Sequence, residues 1–174
     1  MYLNDVIDFI FRFMEQGGTV LWFIAALTFA MWTLVFERFW YFNTGMRQDL
    51  DKAISRWESR RERKSWNAKQ VRRQLISEAR LKINAGLPMI GTLVALAPLF
   101  GLLGTVTGMI EVFNIMAVTG GGDAKSMAGG VSKATIPTMA GMVAALSGVF
   151  ANTYVTRIAE REAVLLEDHL TTDH

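Results

Sequence analysis

The sequence contains no cysteine, only three prolines, and no charged residue across three long stretches. Without cysteine there is no disulfide framework and no thiolate metal site, and that absence says nothing about compartment. Between Glu15 and Glu37 lie 21 residues without a formal charge, between Lys82 and Glu111 lie 28, and between Lys133 and Arg157 lie 23. A helix needs about 20 such residues to cross roughly 30 Å of hydrocarbon. Three stretches meet that requirement, which excludes a conventional soluble fold, an enzyme with a large water-facing domain, and a disordered tail. The averages alone (174 residues, 51% hydrophobic, 20% charged, net charge +2) would suit an ordinary soluble domain, so the distribution decides. Chemistry-bearing motifs are missing too. There is no metal constellation, nucleophile–base pair or P-loop. Gly120-Gly121-Gly122-Asp123 lacks the following GK[ST] of a phosphate cradle and reads as a flexible turn. The chain is therefore expected not to be an enzyme and to need no metal or cofactor.

What is present gives a topology. Residues 1–16 hold Asp5, Asp8 and Glu15 against a lone Arg12, the opposite of a basic secretory leader. Leu3, Val6, Ile7, Ile10, Phe13 and Met14 recur at helical spacing opposite a polar face. A short interfacial helix joined to the span at Gly17-Gly18 is favoured over a polar start of the span itself. The first span, 17–38, is bulky with Trp22, Phe23, Phe29 and Trp32, and ends at the aromatic cluster Phe39-Trp40-Tyr41-Phe42. Amphipathic rings of this kind prefer the headgroup level. Residues 37–82 carry 13 Lys/Arg and 6 Asp/Glu, whereas 1–16 carry one basic residue, 111–133 two and 157–174 two. By the positive-inside rule the charged loop is cytoplasmic, the N-terminus periplasmic and the C-terminus cytoplasmic. The basic run suits a topology determinant and anionic-lipid contact better than nucleic acid, because acids are interspersed and spans flank it. The expected order is 17–38 first span, 39–82 cytoplasmic helices broken near residues 65–67, 83–113 second span, 114–132 periplasmic loop, 133–156 third span and 157–174 helical tail. The second cytoplasmic helix is expected to continue unbroken into the second span.

The second and third spans differ from the first in being rich in small residues. Ala97, Gly101 and Thr105 fall four apart, as do Gly104 and Gly108. In the third span Ala140, Ala144, Gly148 and Asn152 form a ridge, flanked by Gly141 and Ala145. Such spacing lets backbones approach closely in lipid. A hairpin within one subunit would use one such face. Small residues on more than one face point to neighbours on two sides, hence a homo-oligomeric ring with the bulky first span outside. Pro98 is expected to bend the second span, and Pro137 to sit near the start of the third, where a missing N–H costs little. Neither span carries an ionisable group at its middle, since Glu111 and Lys133 lie at the outer ends. Proteins coupled to protons place such groups at membrane depth. A titrating carboxylate would have to come from a partner helix seated among threonines such as Thr92, Thr105, Thr107, Thr135 and Thr138.

The run Ala97-Pro98-Leu99-Phe100-Gly101-Leu102-Leu103-Gly104-Thr105-Val106-Thr107-Gly108, followed by Phe113, resembles the second-span motif of the ExbB/TolQ/MotA family of proton-driven motors. The stretch Gly130-Val131-Ser132-Lys133-Ala134-Thr135-Ile136-Pro137-Thr138-Met139-Ala140-Gly141 is similar to its third-span motif, and the chain looks most like the short ExbB-type members. The resemblance implies an all-α inner-membrane protein assembling as a pentameric ring, whose pore holds single-span helices of an ExbD-like partner with an intramembrane aspartate. It implies that Thr105 and Thr138 line that pore, with Thr107 and Thr135 as further candidates. It also implies a TonB-like partner and energised outer-membrane uptake of iron chelates or vitamin B12. Alternatives are a TolQ-like role in envelope integrity and a non-conducting membrane scaffold. Where ExbB-type proteins commonly carry Gly-x-x-Glu-Ala, this chain has Lys133 in place of the glutamate. A proton-carrying role does not transfer there. Lys133 is expected to snorkel to the interface in preference to pairing with Glu111 or an acid on the partner.

Overall fold

A computed structural model of the chain describes residues 2–59, 65–120 and 124–170. Residues 60–64 of the basic run, 121–123 of the glycine turn, and 171–174 with His174 lie outside the described residues. Helix α1 covers Tyr2–Trp40, and a π-helical turn, Tyr41–Gly45, leads into α2, Met46–Glu58. Three further helices follow: α3 over Trp66–Asn84, α4 over Leu87–Thr119 and α5 over Ala124–His169. Stretches within Gly17–Glu58, Trp66–Val118 and Met127–His169 are long and apolar enough to cross a membrane. The chain is an all-α, multi-pass membrane protein.

Two compact units divide the chain. One comprises Met1–Trp32 and Thr92–Val149; the other comprises Thr33–Gly91 and Phe150–His174. In the first, α1 is two helical stretches joined at Gly18, whose φ of 67° only glycine adopts cheaply. Leu21, Ile24 and Leu27 then pack against Ala97 of α4 and Ala144 and Ala145 of α5. Trp22 and Phe23 on the other side of α1 are exposed, and Phe23 stacks on Phe100 with ring centroids 6.3 Å apart. Branched aliphatic side chains of α1 thus face the small residues of α4 and α5, and the aromatic ones lie outside.

In the second unit the core joins Ala53 and Trp57 of α2, Ala68, Leu75, Ile76 and Ala79 of α3, and Leu166 and Leu170 from the C-terminal end. Ser65 caps α3, its hydroxyl accepting from the Ala68 N–H at 3.2 Å. That cap satisfies one of the orphan donors of the first turn. Arg72 of α3 donates to the carbonyls of Glu167 and Leu170, and Arg80 pairs with the Glu167 carboxylate at 2.7 Å. A guanidinium on the last carbonyls of α5 meets acceptors that the helix itself cannot fill.

Three expectations are corrected. Helix α3 does not run on into the second span: it stops at Asn84, and Gly86, at φ 77°, turns the chain before α4 begins at Leu87. Pro88 falls in the first turn of α4, where a missing N–H costs little, so the Gly-x-Pro order is a stop and a restart. Second, most of the loop expected at 114–132 is helical. Helix α4 continues to Thr119, where Gly120 (φ 72°) terminates it by donating its N–H to the Met116 carbonyl at 3.1 Å. Third, because α5 starts at Ala124, Pro137 lies in the helix interior and is buried. The helix carries the missing N–H, as α4 does at Pro98.

Candidate functional site

The small residues of α4 and α5 bring two helix backbones together and with them two hydroxyls. A Cβ added at Gly141 would lie 2.6 Å from the Ala97 carbonyl oxygen and 3.1 Å from the Gly101 Cα. One added at Gly101 would lie 3.0 Å from the Pro137 carbonyl oxygen, and one at Gly108 would lie 2.7 Å from the Ala134 Cβ. Gly104 faces the Pro137 ring and Val20 of α1, and Gly148 faces Met31 of α1 and Val94 of α4. Small residues on two sides of these helices are thus consumed within one chain: α4 against α5 on one side, α1 on the other. Ala140 is partly buried beside the α1 seam.

At this close approach the Thr105 and Thr138 hydroxyls hydrogen-bond to each other. Thr138 also donates to the Gly101 carbonyl at 2.9 Å, and Thr105 Oγ1 lies 3.5 Å from the same oxygen. A hydroxyl has one proton and two lone pairs. With the Thr138 proton on Gly101, the chain runs Thr105 to Thr138 to carbonyl, and the Thr105 oxygen keeps acceptor capacity. Both side chains are partly buried. The pair can accept from a protonated acid and, by rotating, donate to its conjugate base.

Thr107 and Thr135 are not part of this cluster. Thr107 is exposed and bonds back to Leu103 and Gly104 carbonyls at 3.0 and 3.1 Å; Thr135 is exposed and bonds back to Ser132 at 2.8 Å. Two residues apart on a helix, Thr105 and Thr107 point in nearly opposite directions. Thr107 instead borders a cavity of about 480 Å³ with Gly18, Gly104, Gly108, Glu111 and Lys133. Lys133 Nζ stands 3.9 Å from Glu111, with 46% and 62% of the two side chains exposed. That is a loose ion pair, of the kind worth little in water.

Several polar residues in the second unit escaped the sequence reading. Asp49 accepts from the Tyr41 hydroxyl at 3.1 Å and from Lys82 at 3.2 Å. Arg38 pairs with Glu37 at 2.8 Å, donates to the Lys82 carbonyl at 3.3 Å, and lies 5.1 Å from the Tyr41 ring centroid. Burial raises the Tyr41 phenol above its ordinary value, helped by its bond to the Asp49 carboxylate. Burial alone would also raise Asp49, but the bonds from Lys82 and Tyr41 and the charges of Lys82 and Lys52 outweigh it and hold the carboxyl low. Tyr41 sits three residues after Arg38, a helical neighbour, but nothing in the sequence ties Asp49 to Lys82. Asn152 lies against Gly91, and its Oδ1 is buried with no hydrogen-bond partner among the described residues.

Comparison with known proteins gives this geometry its setting. The sequence pattern of the MotA/TolQ/ExbB proton channel family matches residues 41–168. ExbB-like 1, a biopolymer transport protein of Synechocystis, is 30% identical over 163 residues, covering 75% of this chain and 64% of its own. Biopolymer transport protein ExbB of Xanthomonas campestris pv. campestris is 33% identical over 86 residues, 49% of this chain and 34% of its own. The Tol-Pal system protein TolQ of Pseudomonas aeruginosa is 31% identical over 99 residues, 57% of this chain and 42% of its own. The chain spans less than two thirds of the length of each of these relatives. With a match across most of its length and both span motifs inside it, the chain belongs to the MotA/TolQ/ExbB proton channel family.

Proposed function

We propose that the chain is the ring-forming subunit of a proton-driven motor of the ExbB type in the bacterial inner membrane. Its N-terminus is periplasmic and its charge-rich unit cytoplasmic. Five copies surround the single-span helices of an ExbD-like partner, and a TonB-like protein carries the resulting work to outer-membrane receptors for iron chelates or vitamin B12. The observation that carries this reading is the hydrogen-bond chain from Thr105 through Thr138 to the Gly101 carbonyl, which lies in spans with no Asp, Glu, His, Lys or Arg from 83 to 110 or from 134 to 156. Two hydroxyls that can accept or donate suit an aspartate that gains and loses a proton, and the titrating group itself is the partner's. The chain does no covalent chemistry and holds no cofactor.

The test is reconstitution. Vesicles containing this protein alone should hold a pH difference, and addition of a co-purifying single-span protein with an Asp in its helix should dissipate it. Strong proton leakage by the lone protein would overturn the reading. The match to TolQ supports a second role, in envelope integrity. A deletion strain that becomes detergent-sensitive while still using iron chelates would select it. Partner activity that survives collapse of the proton gradient would instead mark a non-conducting scaffold.

A further inference from the structure

A groove of about 690 Å³ lies along α3 and the turn into α4, bordered by α5 through Glu167. Arg73, Ser77, Arg80 and Asn84 recur at helical spacing and share one face of α3, with Arg72 and Leu81 beside them. The three arginines meet one acid. Arg80 is paired with the Glu167 carboxylate, and Arg72 is occupied by carbonyls at the end of α5. The Arg73 side chain is exposed and makes no hydrogen bond or ion pair with the described residues. Among the described residues the groove therefore holds excess positive charge, with the Arg73 guanidinium unpaired.

Apolar side chains line it as well: Leu81 is 71% exposed, and Pro88 lies in the first turn of α4. From Ile83 onward no charged residue occurs until Glu111, so the stretch between these two is where the chain passes from water to hydrocarbon. Basic charge above, an uncovered leucine below and a membrane boundary between them match a molecule with an anionic head and an apolar tail. A free phosphate would leave Leu81 in water. An acidic peptide would have no cause to sit at the boundary.

We propose that this groove binds an anionic phospholipid, with its phosphodiester on Arg73, assisted by Ser77 and the charge of Arg72 and Arg80, and the first methylenes of its acyl chains on Leu81 and Pro88. The inference stands on the membrane-spanning architecture and not on the motor reading.

The full-length protein, purified in a non-ionic detergent and exposed to equal amounts of phosphatidylglycerol and phosphatidylcholine, would be examined by native mass spectrometry. Phosphatidylglycerol should be retained preferentially. Arg73→Gln should lower its retention about five-fold, the effect of one basic residue near a charged lipid surface. Leu81→Asp, at an exposed position that the fold does not need, should also lower it by repelling the phosphodiester. Arg47→Gln, on a different helix, should leave it unchanged. Equal retention of the two lipids, no effect of Arg73→Gln, or an equal effect of Arg47→Gln would overturn the proposal. Displacement of the lipid by millimolar inorganic phosphate would overturn it in favour of a soluble anion. A change in assembly mass on Arg73→Gln with lipid retention intact would identify the groove as a subunit contact instead.

Discussion

At the scale of single residues, the close approach of α4 and α5 comes down to a few atoms. Thr138 is the sharpest case, because its hydroxyl bonds both to Thr105 and to the Gly101 carbonyl. Thr138→Val keeps the volume and removes that donor. Hydrogen bonds to charged groups contribute about 1.5–3 kcal/mol, so partner-dependent proton flux in vesicles should fall about ten-fold or more while the protein stays folded. Unchanged flux in both Thr138→Val and Thr105→Val would remove the hydroxyls from the mechanism. Gly141→Ala is expected to act on the fold instead. Its Cβ would meet the Ala97 carbonyl oxygen at 2.6 Å, so α4 and α5 must separate, at about 1–3 kcal/mol. A lower thermal midpoint in detergent is the expected reading. The residue types of this site were legible in the sequence: two motif threonines and a four-spaced row of small residues. Their grouping was not, because Thr105 and Thr107 look alike on a list and separate only when the helix is built. Nor did the list tell which small residues serve the chain's own helices, since Gly148 finds Met31 across more than a hundred residues of sequence.

At the scale of elements, helix ends decide where the chain stops and turns. The three spans follow from uncharged length alone, and the break expected near residues 65–67 falls beside Ser65, the cap of α3, with Trp66 and Asn67 already helical. The break between α3 and α4 was hidden because one glycine in an otherwise helical pattern is weak evidence for a stop. Its positive φ is what makes Gly86 one. Gly86→Ala must hold an L-residue at φ 77°, which costs about 1–2 kcal/mol. Faster proteolysis or hydrogen exchange around residues 84–88 is the expected outcome. A second prediction concerns pH. Asp49 has a lowered pKa in the folded unit, so its contribution is complete above the ordinary aspartate value of 3.8 and is lost as pH falls through the lowered one. Tyr41 has a raised pKa, so its contribution is complete below the ordinary tyrosine value of 10.0 and is lost as pH rises through the raised one. The charge-rich unit should therefore be least pH-dependent between these limits. Asp49→Asn should flatten the acid limb of a stability–pH curve followed by near-UV circular dichroism, and an unaltered acid limb would exclude Asp49 as its source.

At the scale of the whole molecule, the two units answer to different solvents. In one, helices meet through glycine and alanine because lipid offers no hydrophobic drive for their association. In the other, Trp57, Leu75, Leu166 and Leu170 form an ordinary buried cluster. Leu166→Ala should cost about 2–5 kcal/mol and raise hydrogen exchange across α2 and α3, leaving the contact of α4 with α5 around Gly101 protected. Uniform loosening of both units would show that they are not separate. The sequence could be divided this way by charge density, since 13 of 18 basic residues fall within 37–82. It could not show that residues from the far end of the chain complete that unit, because a short amphipathic tail carries no mark of its destination.

The bonds from Arg72 to the carbonyls of Glu167 and Leu170 join residues 95 and 98 positions apart. During synthesis α2 and α3 leave the ribosome long before residues 166–170 exist, and two spans must enter the bilayer in the interval. Until then the cluster of Trp57 and Leu75 lacks Leu166 and Leu170, and uncovered apolar surface of that kind is what chaperones and proteases act on. A protein cut short before Leu166 would be left in that state for its whole lifetime and should be degraded faster than one that contains residues 166–170.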